Sequence, residues 1–201
     1  MRGVIISAGS ITDYIYIKSF INPDTDYIIC ADGGYHHAVK MGLRIDILLG
    51  DFDSISSDIP VDINKLVFDK DKDYTDTEIA LDYARKQGFT EVLLLGGVGS
   101  RIDHTLANIL MLVNFKNVVI INENNKIYMC DDLTIKEDIG NYVSLIPLTK
   151  CVGVTTKGLK YELDNATMEV GYGIGVSNVV TNENVSVNIL SGKLLVIVAK
   201  D

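Results

Sequence analysis

Short, uninterrupted apolar runs alternate with helix-like patterns through the first part of the chain. Val4-Ile5-Ile6 is followed by a helical stretch over Asp13 to Phe20. Tyr27 to Ala31 precedes a second one, Tyr35 to Met41, closed by Gly42. Ile45 to Leu49 runs into Gly50-Asp51, Glu91 to Leu95 follows a helix over Thr75 to Gln87, and Val118 to Ile121 follows a helix over Thr105 to Phe115. Short continuous apolar runs between helices fit a parallel sheet covered on both faces. The pattern predicts an α/β domain.

Two of these helices can be resolved further. Thr75-Asp76-Thr77-Glu78 has capping-box spacing, so Thr75 and Glu78 could each satisfy a free backbone N–H. Ile79, Ala80, Tyr83 and Ala84 then share one apolar face, and Gly88 stops the helix. In the other, Leu106, Ile109, Leu110 and Val113 repeat at helical spacing, with Asp103 at or near the N-cap.

Near residue 123 the character changes, which predicts two domains, 1–123 and 124–201. Val185 to Leu190 alternates apolar and polar, Ser191-Gly192 supplies a tight turn, and Lys193 to Val198 follows, the signature of a β-hairpin. Lys126 to Met129, Tyr142 to Leu148 and Val152 to Thr156 read as further strands. The second half is expected to be a small antiparallel β-sandwich.

Composition narrows the class. Hydrophobic residues make up 47% of the 201 and charged ones 22%, enough apolar surface for a packed core. No apolar stretch reaches the ~18 residues of a membrane span. The formal charge of −9 disfavours long-range attraction to nucleic acid or an anionic membrane. Cys30, Cys130 and Cys151 have no paired spacing and read as buried thiols, which fits a reducing cytoplasm.

Candidate chemistry lies in the aspartates, which follow strands. Asp32 stands in Ala31-Asp32-Gly33-Gly34, and Asp51 and Asp53 in Gly50-Asp51-Phe52-Asp53-Ser54. Asp69, Asp71, Asp73 and Asp76 follow Leu66 to Phe68, and Asp103 follows the glycines at 96, 97 and 99. Ligands of open parallel sheets bind beyond the strands' carboxyl ends, so all these groups could share one crevice. Gathered carboxylates repel one another, and a hard divalent ion relieves that. Magnesium takes one or two carboxylates with waters and phosphate oxygens. Asp51 and Asp53, two apart, are the first choice as ligands.

The same region offers groups for phosphate. Gly96 to Arg101 combines flexible backbone with an arginine before a helix N-terminus. Lys70 and Lys72 lie among the carboxylates. His104 could bind a phosphate or cap its helix, and His36 and His37 suggest surface or capping roles. No GxxxxGK[ST] loop occurs.

In order, Ala31-Asp32-Gly33-Gly34, Gly50-Asp51-Phe52-Asp53-Ser54, Asp71-Lys72-Asp73-Tyr74-Thr75-Asp76-Thr77-Glu78 and Arg101-Ile102-Asp103-His104-Thr105-Leu106-Ala107-Asn108 resemble the bacterial thiamine pyrophosphokinase family. The resemblance covers essentially the whole chain. It implies a Rossmann-like, ATP- and metal-binding catalytic domain followed by a thiamine-binding β-sandwich, in a cytoplasmic homodimer with thiamine between subunits. The implied reaction moves the pyrophosphoryl group of ATP to thiamine, with Mg2+ held by Asp51, Asp53 and Asp76. Asp32 and Asp103 would line the reacting centre, and Asp73 or Asp103 would accept the hydroxyl proton. Lys72, Thr75, Arg101 and His104 would meet ATP, and Ser177 and Asn178 would approach thiamine. The chain departs from some relatives in having no tryptophan, for which Tyr172 could substitute. The alternatives are an ATP-dependent kinase or pyrophosphokinase for another alcohol, or a non-enzymatic nucleotide or thiamine sensor.

Overall fold

The computed structural model describes residues 1–52, 55, 59–69 and 73–200. The chain divides into two compact units, Met1–Glu123 and Asn124–Asp201. The first contains β1 (Arg2–Ile6), α1 (Tyr14–Lys18), β2 (Tyr27–Ala31), α2 (Gly34–Met41), β3 (Ile47–Gly50), β4 (Asn64–Val67), α3 (Asp76–Lys86), β5 (Glu91–Leu95), α4 (Ile102–Met111) and β6 (Val118–Ile121). Its strands lie in the order β6-β5-β1-β2-β3-β4, every neighbouring pair parallel.

Helix cover explains the apolar runs. Val4 and Ile6 of β1 pack with Ile17 of α1 and Ala38 and Met41 of α2. Successive strand residues point to opposite faces, so Ile5 turns the other way, and α3 lies against β1, β2 and β3. The chain steps outward from β1 to β4, then returns to place β5 on the far side of β1. Such a reversal opens a crevice beyond the strands' carboxyl ends.

The second unit is made of β7 (Asn125–Cys130), β8 (Asp132–Lys136), β9 (Tyr142–Pro147), β10 (Cys151–Lys157), β11 (Ala166–Met168), β12 (Asn178–Val179), β13 (Asn184–Asn188) and β14 (Leu194–Ala199). They form two antiparallel sets, β12-β9-β14-β7 and β11-β10-β13-β8. Buried Cys130, Leu145 and Val196 from the first share a core with Val154, Met168 and Val187 from the second.

One expectation is overturned here. Val185–Leu190 and Lys193–Val198 do not form a hairpin, because β13 pairs with β10 and β8 whereas β14 pairs with β7 and β9. Ser191-Gly192 carries the chain from one sheet to the other, with Gly192 at φ +113°. Alternation fixes which face of a strand is buried, not which strand lies beside it. Among the described residues no helix is long and apolar enough to cross a membrane. Cys30, Cys130 and Cys151 are buried free thiols.

A nearly buried ion pair fixes the start of the parallel sheet. Arg2 makes paired bonds to Asp26, Nη2 to Oδ2 at 2.6 Å and Nε to Oδ1 at 3.0 Å, and the Asp26 side chain is only 3% exposed. Burial pushes the Asp26 carboxyl up. Hydrogen bonds from Arg2 and the Asn22 N–H, with the Arg2 charge, outweigh that and hold it below its ordinary 3.8. A lowered carboxyl stabilises the fold fully above its unfolded pKa and loses that contribution as pH falls through the folded value. Asp26→Asn is expected to cost about 1–3 kcal/mol at neutral pH. The gap from the unmodified protein should narrow once pH falls below ~3.9, as denaturant titrations at both pH values would register. A gap that stays constant into acid would contradict the pairing.

Candidate active site

A cavity of about 550 Å³ opens at the carboxyl edge of the parallel strands, where their order reverses. Ser7 to Ser10 after β1, Asp32 after β2 and Gly96, Gly97 and Gly99 to Arg101 after β5 form much of its wall. Helix residues complete it: His37 from α2, Asp76 and Thr77 from α3 with the cap Thr75, and His104, Thr105 and Asn108 from α4.

Close backbone approach shapes this wall. Gly9 N–H donates to Gly96 O at 2.8 Å and Ser10 N–H to Val98 O at 2.9 Å, joining the loops after β1 and β5. A Cβ on Gly9 would stand 2.3 Å from Gly96 O, so no larger residue fits this contact. Gly34, at the start of α2, is tighter still, its Cβ 1.9 Å from Ile6 O. Ser7 Oγ and Thr77 Oγ1 share a buried hydrogen bond of 2.9 Å that ties β1 to the first turn of α3.

The inward face of α4 differs from the one its periodicity predicts. Leu106 and Leu110 are exposed, whereas Asn108 is buried. Asn108 Nδ2 donates to Gly97 O at 2.7 Å, and Thr105 Oγ1 accepts from Gly99 N at 3.0 Å and donates to Gly99 O at 3.1 Å. The polar residues turn inward because the glycine loop presents backbone groups that need partners. The N-cap of α4 is Arg101, which makes no side-chain cap bond, and Asp103 lies in the first turn.

Of the sequence candidates, Asp32, Thr75, Asp76, Arg101 and His104 meet in this cavity. Asp32 adopts a left-handed φ of +41°, with its N–H on Leu49 O at 2.7 Å. That conformation costs most residues about 1–3 kcal/mol, and Asp tolerates it better than most. Thr75 caps α3, accepting from Glu78 N at 3.2 Å. Asp51 follows β3 without lining the cavity, and Asp73 is exposed outside it. Asp53 and Lys72 lie outside the described residues.

Asp103 also stands off the cavity wall, paired with Arg101 at 2.6 Å. The guanidinium bond, helped by the His104 N–H, holds its carboxyl down to about 2, which makes it a weak proton acceptor in this arrangement. In the second unit, Asn178 commits its amide to backbone. Nδ2 donates to Tyr161 O at 2.7 Å and Oδ1 accepts from Tyr161 N at 3.0 Å. Ser177 is exposed at φ +56°, its N–H on Ser144 Oγ at 3.0 Å.

Sequence reasoning missed His37, Ser7, Thr77 and Asn108. His37 is a cavity residue rather than a surface or capping group. The available signal was the polar pair Thr105 and Asn108, three apart inside an apolar helix pattern.

Among the described residues no group of three His, Cys, Asp or Glu side chains is placed to hold a metal. Asp32 and Asp76 nonetheless open on one cavity, a donor set suited to a hard cation that keeps waters and shares phosphate oxygens. The α3 and α4 N-termini border the same space, favouring anions there. Carboxylates, two helix N-termini and Arg101 together suit a polyphosphate carried with a cation.

A family model described as "Thiamin pyrophosphokinase, catalytic domain" matches residues 20–129, and one described as "Thiamin pyrophosphokinase, vitamin B1 binding domain" matches residues 132–194. The chain belongs to the thiamine pyrophosphokinase family. Thiamine pyrophosphokinase from Bacillus subtilis is 31% identical over 167 residues, 76% of this chain and 77% of that protein. Thiamin pyrophosphokinase 1 from Caenorhabditis elegans is 29% identical over 178 residues, 79% of this chain and 73% of that protein. A crystal structure of the Bacillus subtilis enzyme shares the fold at TM-score 0.90 and 24% identity, covering 100% of both chains. That of thiamin pyrophosphokinase from Geobacillus thermodenitrificans has a TM-score of 0.87 at 25% identity, covering 100% of this chain and 98% of the other.

The glycine contacts give a steric test of the wall. Gly34→Ala is expected to lower the unfolding free energy by at least about 2 kcal/mol, since α2 must move off β1 to admit one methyl. Denaturant unfolding checks this, and an unchanged midpoint would contradict the close approach.

Proposed function

We propose that the chain is a thiamine pyrophosphokinase, transferring the pyrophosphoryl group of ATP to the hydroxyl of thiamine and releasing thiamine diphosphate and AMP. One observation carries this reading: Asp32, Asp76, Arg101 and His104 meet, with glycine-loop backbone, in a cavity at the strand-order reversal. Family membership supports the same reaction.

In this reading the first unit, 1–123, is a Rossmann-like catalytic domain, supported by its parallel strands and their reversal. The second, 124–201, is a β-sandwich that binds thiamine, supported by the core shared between its two antiparallel sets. Thiamine lies between subunits of a homodimer. Exposed Tyr172, Ile174 and Val176 in the second unit, and Ile102 and Leu106 in the first, offer apolar surface for such pairing. A cytoplasmic setting is part of the proposal, supported by the buried thiols.

The thiamine hydroxyl attacks the β-phosphorus of ATP in line. The bond from that phosphorus to the oxygen of the departing AMP breaks, and the hydroxyl proton passes to a carboxylate. Positioning and charge stabilisation dominate such transfers. Asp76 of the cavity wall, with Asp51 and Asp53 as the family resemblance implies, would hold magnesium, which would offset the charge of the phosphate oxygens. Asp32 lines the reacting centre, Thr75 and His104 meet ATP, and Lys72 would join them as the family resemblance implies. Arg101 exchanges Asp103 for a phosphate oxygen. Released from the guanidinium, Asp103 regains basicity and becomes, with Asp73, a candidate to take the proton.

Incubation with thiamine and magnesium-ATP, followed by mass identification of products, is expected to yield thiamine diphosphate and AMP. ADP in place of AMP would mark simple phosphorylation, and thiamine binding without turnover would mark a sensor. Asp76→Asn should lower kcat/KM by ~10²-fold or more, the scale of losing a key electrostatic group. Near-normal turnover in that variant would remove Asp76 from the cation site.

A further inference from the structure

His37 makes two bonds that together fix its chemical state. Its Nε2 is 2.8 Å from Gly9 O and its Nδ1 is 2.8 Å from the Tyr14 hydroxyl. A carbonyl oxygen can only accept, so Nε2 carries the hydrogen and donates to Gly9. In the neutral ring Nδ1 is then bare and accepts from the Tyr14 O–H. Burial lowers the His37 pKa below its ordinary 6.5, and Lys40 and His36 add to that. The Gly9 carbonyl and Glu123 act in the opposite sense. The ring is therefore neutral at physiological pH.

The peptide that His37 grips is the one joining Gly9 to Ser10. In a trans peptide the C=O and N–H point opposite ways. Here the Gly9 carbonyl is held by α2 through His37, while the Ser10 N–H donates to Val98 O at 2.9 Å. One peptide plane is thus clamped from both sides. Gly9 N–H, on Gly96 O, extends the same seam. The far end of the segment is also tied down, with the Thr12 N–H at 2.5 Å and the Asp13 N–H at 3.0 Å from Glu123 Oε1.

We infer that His37 is a positioning residue for the nucleotide: through its Nε2–H it holds the Gly9–Ser10 peptide, and with it the seam between the loops after β1 and β5, in the orientation that shapes the cavity wall. Tyr14 acts one step further out by fixing the tautomer of His37. The inference rests on the cavity being the ATP site, as proposed above.

The test begins with magnesium-ATP titrated against the unmodified protein by calorimetry. Absence of binding there would sink the nucleotide reading, whereas the variants bear on His37. A clamp on the wall acts on ground state and transition state alike, so its loss raises KM and leaves kcat. His37→Ala should raise the KM for ATP roughly three- to tenfold, the scale of one net hydrogen bond, with kcat within about twofold. His37→Gln, whose amide N–H can reach Gly9 O, should recover most of that loss. An unchanged KM in His37→Ala, or His37→Gln as poor as His37→Ala, would overturn the inference. Should His37→Ala fail to fold, ¹⁵N NMR of the unmodified protein decides. A protonated Nε2 with a bare Nδ1 is expected, and the reverse tautomer would overturn the assignment.

Discussion

The site depends on a seam of main chain. Beyond β1 and β5 the backbone of Gly9 and Ser10 lies directly against that of Gly96 and Val98, with N–H groups on carbonyls at 2.8 and 2.9 Å. This contact exists only because Gly9 and Gly96 lack side chains, since a Cβ on either would stand 2.3 or 2.2 Å from a carbonyl oxygen across the seam. Side chains from three helices then support it: His37 from α2, Thr77 from α3 through Ser7, and Thr105 and Asn108 from α4. The wall that would meet a triphosphate is thus made largely of backbone, and its shape is set by partners behind it.

Charge is distributed around that wall in a way that suits an exchange of partners. Asp32 and Asp76 face the cavity, and Arg101 lies at its rim bonded to Asp103. In the proposed reaction an incoming phosphate competes with Asp103 for the guanidinium, and a cation held by the aspartates would remove the repulsion that they otherwise feel. Binding and the readying of a proton acceptor are then coupled through one arginine.

Much of the first unit was legible in the sequence, because short apolar runs bounded by helices admit few arrangements other than a covered parallel sheet. The ends of α2 and α3 were legible for the same kind of reason, Gly42 and Thr75 acting through backbone chemistry that operates locally. The convergence of Asp32, Asp76, Arg101 and His104 followed from their places after strands. What was not legible depended on partners distant in sequence. The β13 segment alternates and β14 follows it across a two-residue turn, as in a hairpin, yet each finds its neighbours in a different sheet. The α4 face was misread because apolar spacing alone ranks Leu106 above Asn108, and only the folded glycine loop shows which of them has something to bond. His37 is likewise silent until Gly9 and Tyr14 are brought to it.

The sharing of one cation between this carboxylate edge and a triphosphate is most directly tested by crystallography. The protein would be crystallised with a non-hydrolysable ATP analogue and manganese, whose anomalous scattering locates the ion without reference to the protein atoms. The expected peak lies within coordination distance of Asp76 and of phosphate oxygens, inside the cavity bounded by Gly97, Arg101 and His104. A nucleotide and ion bound together away from Asp32, Asp51 and Asp76 would contradict it.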